Sequence, residues 1–215
     1  MRAYEKIDTV FNRDTTGTKQ LVLNSWRNPI VEYLRNNLWL FTEKVDGTNI
    51  RIHWDGHQVE FGGRTDRAQI PDFLLEKLRS MFGTAEAEEL FEQTWGEKEV
   101  FLFGEGYGPK IQSGGDYRAD VSFILFDVLV GDNYQEREWV EKTAEMFGID
   151  VVPVVLTGTI QDGIDFVMRH PASTMGTAMM EGVVGRPAVE MRDRRGNRVI
   201  VKIKWDDFKA FAHEI

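Results

Sequence analysis

One short stretch, F-T-E-K-V-D-G-T-N at residues 41–49, constrains the fold of this 215-residue chain more than any other. The mostly apolar residues 38–42 predict a strand that leads into it. Apolar and polar residues alternate over 50–54, which predicts a second, half-buried strand. Asp46-Gly47 between them is a turn signal. The pattern therefore predicts that Lys44 stands at a strand–turn–strand junction, where the backbone fixes its side chain.

A lysine held in this way can be a nucleophile when its amine is deprotonated. The ordinary lysine pKa is about 10.4, so at neutral pH only about one free lysine in a few thousand is neutral. Nearby positive charge or burial shifts that balance. The letters K-x-D-G alone are weak evidence, because a hairpin turn with a solvated lysine fits them at least as well.

Composition narrows the class of protein. A hydrophobic content of 42% predicts one domain, residues 1–215, with a sizeable core. The chain has no cysteine, no membrane-length apolar run and no signal peptide, which predicts a cytoplasmic protein without disulfides or thiolate metal sites. The net charge of −9 argues against general nucleic-acid sequestration and leaves room for a local basic face.

Strand and helix signals are intermixed along the rest of the chain. Strands are predicted at 58–61, 100–103, 122–130 and 151–156. Helices are predicted after Pro71, over 85–94, after Asn133 with Glu136 as a capping box, and after Thr159. A hairpin with its tip at 193–197 is predicted to join 182–185 to 199–204. The glycine cluster 104–108 is expected to end the strand before it. Hairpins rather than regular βαβ units predict an α+β fold with mainly antiparallel sheets flanked by helices.

Several charged residues stand where apolar ones would cost less free energy. Glu105 follows a buried strand, Asp127 lies inside the most apolar strand, and Glu181 stands at the start of the strand at 182–185. Lys202 and Lys204 alternate with apolar residues and so share one strand face. Taken singly, each has an ordinary alternative: a turn acid, a buried ion pair or a solvated strand face.

Their order along the chain is more specific. K-x-D-G at 44–47 is followed by F-G-E-G-Y-G, F-I-L-F-D-V-L-V, E-G-V-V and K-x-K at 202–204. This order resembles the covalent nucleotidyltransferase superfamily of ATP-dependent polynucleotide ligases and mRNA capping enzymes. T-E-K-V-D-G-T-N is most similar to RNA ligases of the RNA ligase 2 type, because DNA ligases typically carry arginine where this chain has Asn49. The resemblance covers roughly residues 38–205.

The resemblance implies an activity. Lys44 would attack the α-phosphorus of ATP, expel pyrophosphate and hold AMP. The AMP would pass to a 5′-phosphate end, and a 3′-hydroxyl would then displace it, which joins RNA ends or seals a nick. Lys202 and Lys204 would clamp the α-phosphate, and their charge would favour the neutral amine of Lys44.

Further residues take roles only through the resemblance. Glu105 would bind the ribose hydroxyls, and Arg64 would lie near a phosphate or the 5′ end. Phe126 would stack on adenine; Phe123 would take its place only if the strand bulges. The remaining set is Glu181 and Asp127 for Mg²⁺ or Mn²⁺, Glu43 for the adenine edge, and Thr48 and Asn49 for the acceptor strand.

The basic hairpin tip has two interpretations. Its arginines would grip nucleic-acid phosphates, or they form a solvated tip. They are Arg192, Arg194, Arg195 and Arg198.

The chain departs from the family after the K-x-K motif. Family members generally continue into another domain, whereas 11 residues follow Lys204 here, so we expect no appended C-terminal domain. A minimal, monomeric ligase and a ligase that needs an accessory protein both fit. A DNA ligase, a capping-type enzyme using GTP, and a catalytically silent nucleic-acid-binding module also remain open. The intact charged motifs argue against the silent module.

Overall fold

The computed structural model describes residues 1–211 and divides them into two compact units. The first unit contains Met1–Glu5 and Asp46–Val152, and the second contains Lys6–Val45 and the chain from Pro153 onward. The strands are β1 (Asp8–Thr9), β2 (Phe11–Arg13), β3 (Leu21–Trp26), β4 (Trp39–Glu43), β5 (Thr48–Trp54), β6 (Val59–Gly62), β7 (Val100–Tyr107), β8 (Ser122–Val130), β9 (Asn133–Tyr134), β10 (Asp150–Val151), β11 (Val154–Gly158), β12 (Gly182–Pro187) and β13 (Val201–Lys204). The helices are α1 (Pro29–Tyr33), α2 (Asp72–Phe82), α3 (Ala85–Trp95), α4 (Arg137–Phe147), α5 (Ile160–Met168) and α6 (Trp205–Phe208).

The first unit is built on a six-stranded sheet in the order β10-β8-β7-β5-β6, with β9 added to β8. All pairs are antiparallel except β10 with β8. Side chains on one face of this sheet, including Ile52, Leu102 and Leu125, pack with apolar residues of α2, α3 and α4 into the main core. On β7, Phe101 and Phe103 belong to a smaller apolar cluster with Leu129 and Tyr134.

The second unit is built on a five-stranded sheet in the order β1-β13-β12-β4-β11, beside the separate pair β2-β3. Only β1 and β13 are parallel in the larger sheet. Phe41, Val183 and Ile203, from its three central strands, are fully buried and pack against Ile160 and other apolar residues of α5. The core therefore fixes the strands on which the predicted lysine motifs lie.

The sequence-based fold class is confirmed, because helices flank sheets that are mainly antiparallel. None of the helices within residues 1–211 is long and apolar enough to span a bilayer. The single domain predicted for residues 1–215 stays a prediction, and residues 212–215 lie outside the described part of the chain.

Three local predictions were wrong. Asn133 does not start a helix but forms β9, and α4 begins at Arg137 with Glu136 as its N-cap. The glycine cluster does not end β7, which continues to Tyr107. Residues 151–156 are not one strand, because β10 ends at Val151 and β11 begins at Val154.

Candidate active site

Lys44 follows β4 directly, as the K-x-D-G pattern predicts. The backbone amide of Lys44 donates to the carbonyl oxygen of Gly182 at 3.0 Å, which extends the pairing of β4 with β12 by one bond. The residue before it, Glu43, pairs with Val183 in the same ladder. Lys44 therefore starts from a backbone held by the central strands of its sheet, and its side chain is half-buried at 28% exposure.

The Glu181 carboxylate joins two lysines. Its Oε2 atom accepts from Nζ of Lys44 at 2.6 Å, and its Oε1 atom lies 2.6 Å from Nζ of Lys204. The three side chains are 18–29% exposed, so the ion pairs are shielded from water only in part. The arrangement brings together residues from the first, fourth and fifth predicted motifs.

The backbone around Glu181 is tightly fixed. The backbone amide of Trp205 donates to the carbonyl oxygen of Glu181 at 2.9 Å. Gly182 has a φ of +154° and pairs with Lys204, and a Cβ at this glycine would clash with the carbonyl oxygen of Ile203. Because β13 approaches so closely, only glycine fits at position 182, and this accounts for the Glu181-Gly182 pair in the sequence.

Lys202 and Lys204 point to the same side of β13, as predicted, while the alternating residues Val201 and Ile203 are buried. Burial lowers the pKa of Lys202, and the positive charges of Lys44 and Lys204 lower it further. Burial also acts to lower the pKa of Lys204, but the hydrogen bond and negative charge of Glu181 outweigh it, so this pKa is raised overall. The site therefore keeps Lys204 charged, while Lys202 stands among like charges.

Glu43 is almost fully buried, with 1% of its surface exposed. Its Oε2 atom accepts from the backbone amide of Thr174 at 3.1 Å and from the Thr174 hydroxyl at 2.9 Å. Its Oε1 atom is buried and has no hydrogen-bond partner among residues 1–211. A buried carboxylate oxygen without a donor is costly, so this atom is a candidate acceptor for a ligand.

In the first unit, Asn49 and Glu105 lie directly opposite each other on β5 and β7 and so share one face of the sheet. The Asn49 Oδ1 atom is buried and has no hydrogen-bond partner within the described residues. Thr48 pairs with Gly106 in the same ladder. A Cβ at Gly47 would clash with the carbonyl oxygen of Gly106, which explains the glycine of K-x-D-G.

A β-bulge sets the direction of Phe126 and Asp127. The ladder between β7 and β8 shifts register here, since Phe103 pairs with Asp127 and the next residue of β7 with Leu125. Phe126 is the extra residue, so it and Asp127 contact the same side chain: the ring centroids of Phe126 and Tyr4 are 5.0 Å apart, and the Tyr4 hydroxyl donates to Asp127.

The bulge bears on the choice between two phenylalanines. Phe123 is fully buried in the main core of the first unit, whereas Phe126 is only partly buried. The bulge thus leaves Phe123 inside the core and does not bring it to the face that Phe126 shares with Asp127, and the adenine role of Phe126 stays a prediction. Asp127 has no exposed surface.

Two groups of predicted residues lie on the surface. Arg64 is exposed in the turn after β6. Arg192, Arg194 and Arg195 are exposed at a hairpin tip, while Arg198 is buried.

Comparison with known proteins gives this geometry a context. A sequence model of the RNA ligase family matches residues 37–204, which is most of the chain. The chain belongs to the RNA ligase family. No curated protein sequence matches the chain at a significant level.

Solved RNA ligases share the fold. The RNA ligase of Naegleria gruberi with AMP and manganese has a TM-score of 0.64 at 16% identity, and the match covers 97% of this chain and 61% of that one. Its structure with ATP and manganese gives 0.64 at 14% identity, covering 100% and 63%. Its structure with pyrophosphate gives 0.64 at 16% identity, covering 99% and 64%. The chain thus spans about three-fifths of the length of these ligases.

A divalent cation such as Mg²⁺ needs carboxylate or other oxygen ligands, and the described part of this RNA ligase domain offers few that lie together. No three His, Asp or Glu side chains converge as a metal site within residues 1–211. Mg²⁺ beside a nucleotide is commonly bound by one or two carboxylates together with substrate phosphates, so Glu181 alone fits that mode. Asp127 fits it poorly, because its carboxylate is buried and bonded to Tyr4.

Sequence reasoning missed two partners in this RNA ligase domain. Thr174 holds Glu43, and Tyr4 holds Asp127. Each lies more than 120 residues from its partner, and no local pattern marks either contact.

Proposed function

We propose that this chain is an ATP-dependent RNA ligase that joins 3′-hydroxyl and 5′-phosphate RNA ends. Lys44 would carry AMP, and the 5′ end would be adenylylated before it is joined. The observation that carries the proposal is the Glu181 carboxylate, which holds Lys44 and Lys204 at 2.6 Å each inside the segment that matches the RNA ligase family. The Naegleria gruberi structures with ATP, AMP and manganese support ATP and a divalent cation as ligands.

In the first step, Nζ of Lys44 attacks the α-phosphorus of ATP. A phosphorus–nitrogen bond forms, the bond from the α-phosphorus to the pyrophosphate oxygen breaks, and pyrophosphate leaves. An attacking amine needs a free electron pair, so Nζ releases one proton to water before the attack and a second as the phosphoramidate forms, and it must leave Glu181 to reach the phosphorus. The pairing of Lys44 with Glu181 therefore corresponds to a resting state that ATP binding must break.

Lys202 and Lys204 supply the positive charge for this step. Phosphoryl transfer is catalysed chiefly by positioning and charge neutralisation. The two ammonium groups stand on one face of β13, and Lys204 already contacts the acid that contacts Lys44. When the triphosphate binds, these lysines would turn from Glu181 toward its phosphate oxygens. The same two lysines would neutralise the α-phosphate in the two later steps.

Glu181 is the residue that would hold Mg²⁺ or Mn²⁺. A bound divalent cation supplies Lewis-acid charge neutralisation to phosphate oxygens. When the lysines turn to the phosphates, both oxygens of Glu181 become free to accept such an ion. Glu181 thus has two proposed roles. Before ATP binds it is the counter-ion of Lys44 and Lys204, and with ATP bound it would be a ligand of the divalent cation.

Glu43 would select adenine. Adenine presents an exocyclic amine, a hydrogen-bond donor, where guanine presents a carbonyl oxygen. The Oε1 atom of Glu43 is a buried acceptor without a partner among residues 1–211. An adenine amine would satisfy it, and the guanine oxygen would be repelled by it.

The other roles stay predictions. They are Glu105 for the ribose hydroxyls, Phe126 for the adenine ring, Arg64 for a phosphate or the 5′ end, and Thr48 and Asn49 for the acceptor strand. We also propose nick sealing in RNA repair, in the cytoplasm, as the biological task. A monomeric state and an accessory protein stay predictions too.

A sealing assay tests the proposed function. The purified chain is incubated with ATP, Mg²⁺ and a nicked duplex that carries RNA on the 3′-hydroxyl side, and separately with the same duplex carrying DNA there. We expect joining with ATP and a preference for RNA. Joining of the DNA duplex alone would make the chain a DNA ligase, covalent labelling by GTP alone would make it a capping-type enzyme, and neither labelling nor joining would favour a binding module.

A further inference from the structure

A hairpin held by backbone hydrogen bonds connects β12 to β13, and we call residues 188–199 the arginine hairpin. The backbone amide of Asp193 donates to the carbonyl of Asn197, and that of Gly196 to the carbonyl of Asp193. The Asp193 carboxylate also accepts from the backbone amides of Arg195 and Asn197, and Gly196 has a φ of +86°. These bonds define a tight turn with aspartate first and a left-handed glycine fourth.

The base of the arginine hairpin is held by a buried ion pair. Arg198 donates from Nε and Nη2 to the two carboxylate oxygens of Glu190 at 2.6 and 2.9 Å. The two side chains are 1% and 13% exposed. This bidentate pair neutralises both residues, and it fixes the two arms of the hairpin to each other.

The tip of the arginine hairpin presents exposed positive charge. Arg192, Arg194 and Arg195 are exposed, and Asp193 is the only acid among the five tip residues 192–196. The side chains of Arg194 and Arg195 make no hydrogen bond or ion pair in the part of the chain that the structure describes. Such a tip stands out in a chain of net charge −9.

We propose that the arginine hairpin binds the phosphate backbone of an RNA duplex away from the reacting ends. This inference rests on the proposed function. Exposed guanidinium groups bind phosphate in a bidentate manner. A hairpin that is ordered before it binds RNA loses little conformational entropy on binding. Phosphate contacts are blind to sequence, so the surface would add affinity for any duplex without selecting among sequences.

The position of the hairpin limits which phosphates it can reach. Arg195 precedes Lys204 by nine residues in sequence, and extended chain rises about 3.3 Å per residue, so the two are at most about 30 Å apart. If Lys204 contacts the reacting phosphate, the hairpin can contact only phosphates within this span of the nick, extended at each end by the length of a side chain.

The first experiment measures binding of a fluorescein-labelled nicked RNA duplex as a function of salt. The variant changes Arg192, Arg194 and Arg195 to Ala; the matched control changes the exposed Arg35, Arg79 and Lys98 to Ala, with the same change in charge. Each lost phosphate contact lowers the slope of log K against log salt by about 1. We expect a slope lowered by about two to three in the hairpin variant and by less than one in the control.

Self-labelling with ATP, which needs no RNA, is measured on the same proteins. Wild-type and hairpin variant should label equally, which shows that the variant is folded and separates this inference from the proposed function. If wild-type labels but hairpin and control variants have equal salt slopes, the arginine hairpin does not bind RNA. If the triple variant fails to label, Arg194→Glu and Arg195→Glu singly replace it, and each should lower the slope by about one.

A second experiment locates the contact. Neutral methylphosphonates replace blocks of phosphates at increasing distance from the nick, on each strand in turn. At least one block within that span of the nick should weaken binding by the wild-type chain and leave the hairpin variant unaffected, since the contact is already lost. Equal weakening of both proteins by every block would contradict the proposal.

Discussion

Lys44 and Glu181 are 137 residues apart in sequence, yet Nζ of one lies 2.6 Å from Oε2 of the other. The other oxygen of Glu181 is equally close to Lys204, so one carboxylate pairs with two lysines that the proposed reaction needs, and the cluster keeps a net positive charge. The ion pairs hold the lysines close together, and in the proposed reaction Lys44 must leave Glu181 before its Nζ can reach the α-phosphorus of ATP.

Replacement of Glu181 tests this double use. Glu181→Gln keeps the shape but removes the charge that would bind a divalent cation. We expect single-turnover labelling with ATP and Mg²⁺ to slow by about 10²–10³-fold, the cost typical of one lost electrostatic contact in a transition state. Near-normal labelling of the variant, or full activity of the wild type in excess chelator, would remove Glu181 from the metal role.

Substitutions of Lys44 and Lys204 should have different effects when the 5′ end of the substrate is already adenylylated. Lys44→Ala should still join a pre-adenylylated 5′ end to a 3′-hydroxyl, because that step bypasses the covalent intermediate. Lys204→Ala should fail with ATP and with pre-adenylylated ends, by about 10²–10³-fold, because the phosphate it neutralises takes part in all three steps. A folded Lys44→Ala protein that cannot join such an end would give Lys44 a second role.

Much of this arrangement could be predicted from the sequence. The alternation of apolar residues identifies the strand Ser122–Val130 at its observed bounds and places Lys202 and Lys204 on one face of β13. Such patterns work because the side-chain period of a strand is fixed by its backbone and every second residue must fit the core. The turn at 193–197 follows from equally local chemistry. Asp46-Gly47 connects β4 to β5, which lie in different sheets, and within the described residues it forms no hydrogen-bonded hairpin turn.

Other features depend on distant residues. The bulge at Phe126 results from the pairing of β8 with β7, and nothing in F-I-L-F-D-V-L-V itself marks it. The apolar run 151–156 is divided because Val152 donates its backbone amide to Leu125 in the first unit, whereas Pro153 accepts from Glu43 in the second. Asn133 joins a strand because β8 offers it a partner. Tertiary pairing overrides local signals in these cases.

Glu43 and its neighbour Thr174 allow a test of base selection. Glu43→Gln introduces an amide that can donate to the guanine oxygen, so the preference for ATP over GTP in self-labelling should fall by about tenfold or more. Thr174→Val removes the hydroxyl bonded to Oε2 and leaves Oε1 unchanged, so it serves as the control and should keep the preference. Equal slowing with both nucleotides in Glu43→Gln would mean that Glu43 only positions the segment around Thr174.

The positive charge of Lys202 should destabilise the folded protein. Its pKa is lowered on folding by burial and by the charges of Lys44 and Lys204, so its charged form is less favourable in the folded chain than in the unfolded one. Lys202→Met should therefore raise Tm near neutral pH while it abolishes labelling. The gain should be complete below the lowered pKa and should vanish as pH rises past 10.5, where the lysine is neutral in both states. Thermal unfolding across this pH range measures it, and a lower Tm in the variant at neutral pH would contradict the assignment.

The central claim is that Lys44 becomes covalently bound to AMP. The purified chain is incubated with ATP and Mg²⁺, its intact mass is measured, and the modified residue is located by peptide mass spectrometry, with Lys44→Ala as the control. We predict an increase equal to one AMP, carried by Lys44, sensitive to acid as a phosphoramidate and absent from the control. An unchanged mass with ATP, or AMP attached to a residue other than Lys44, would contradict the account.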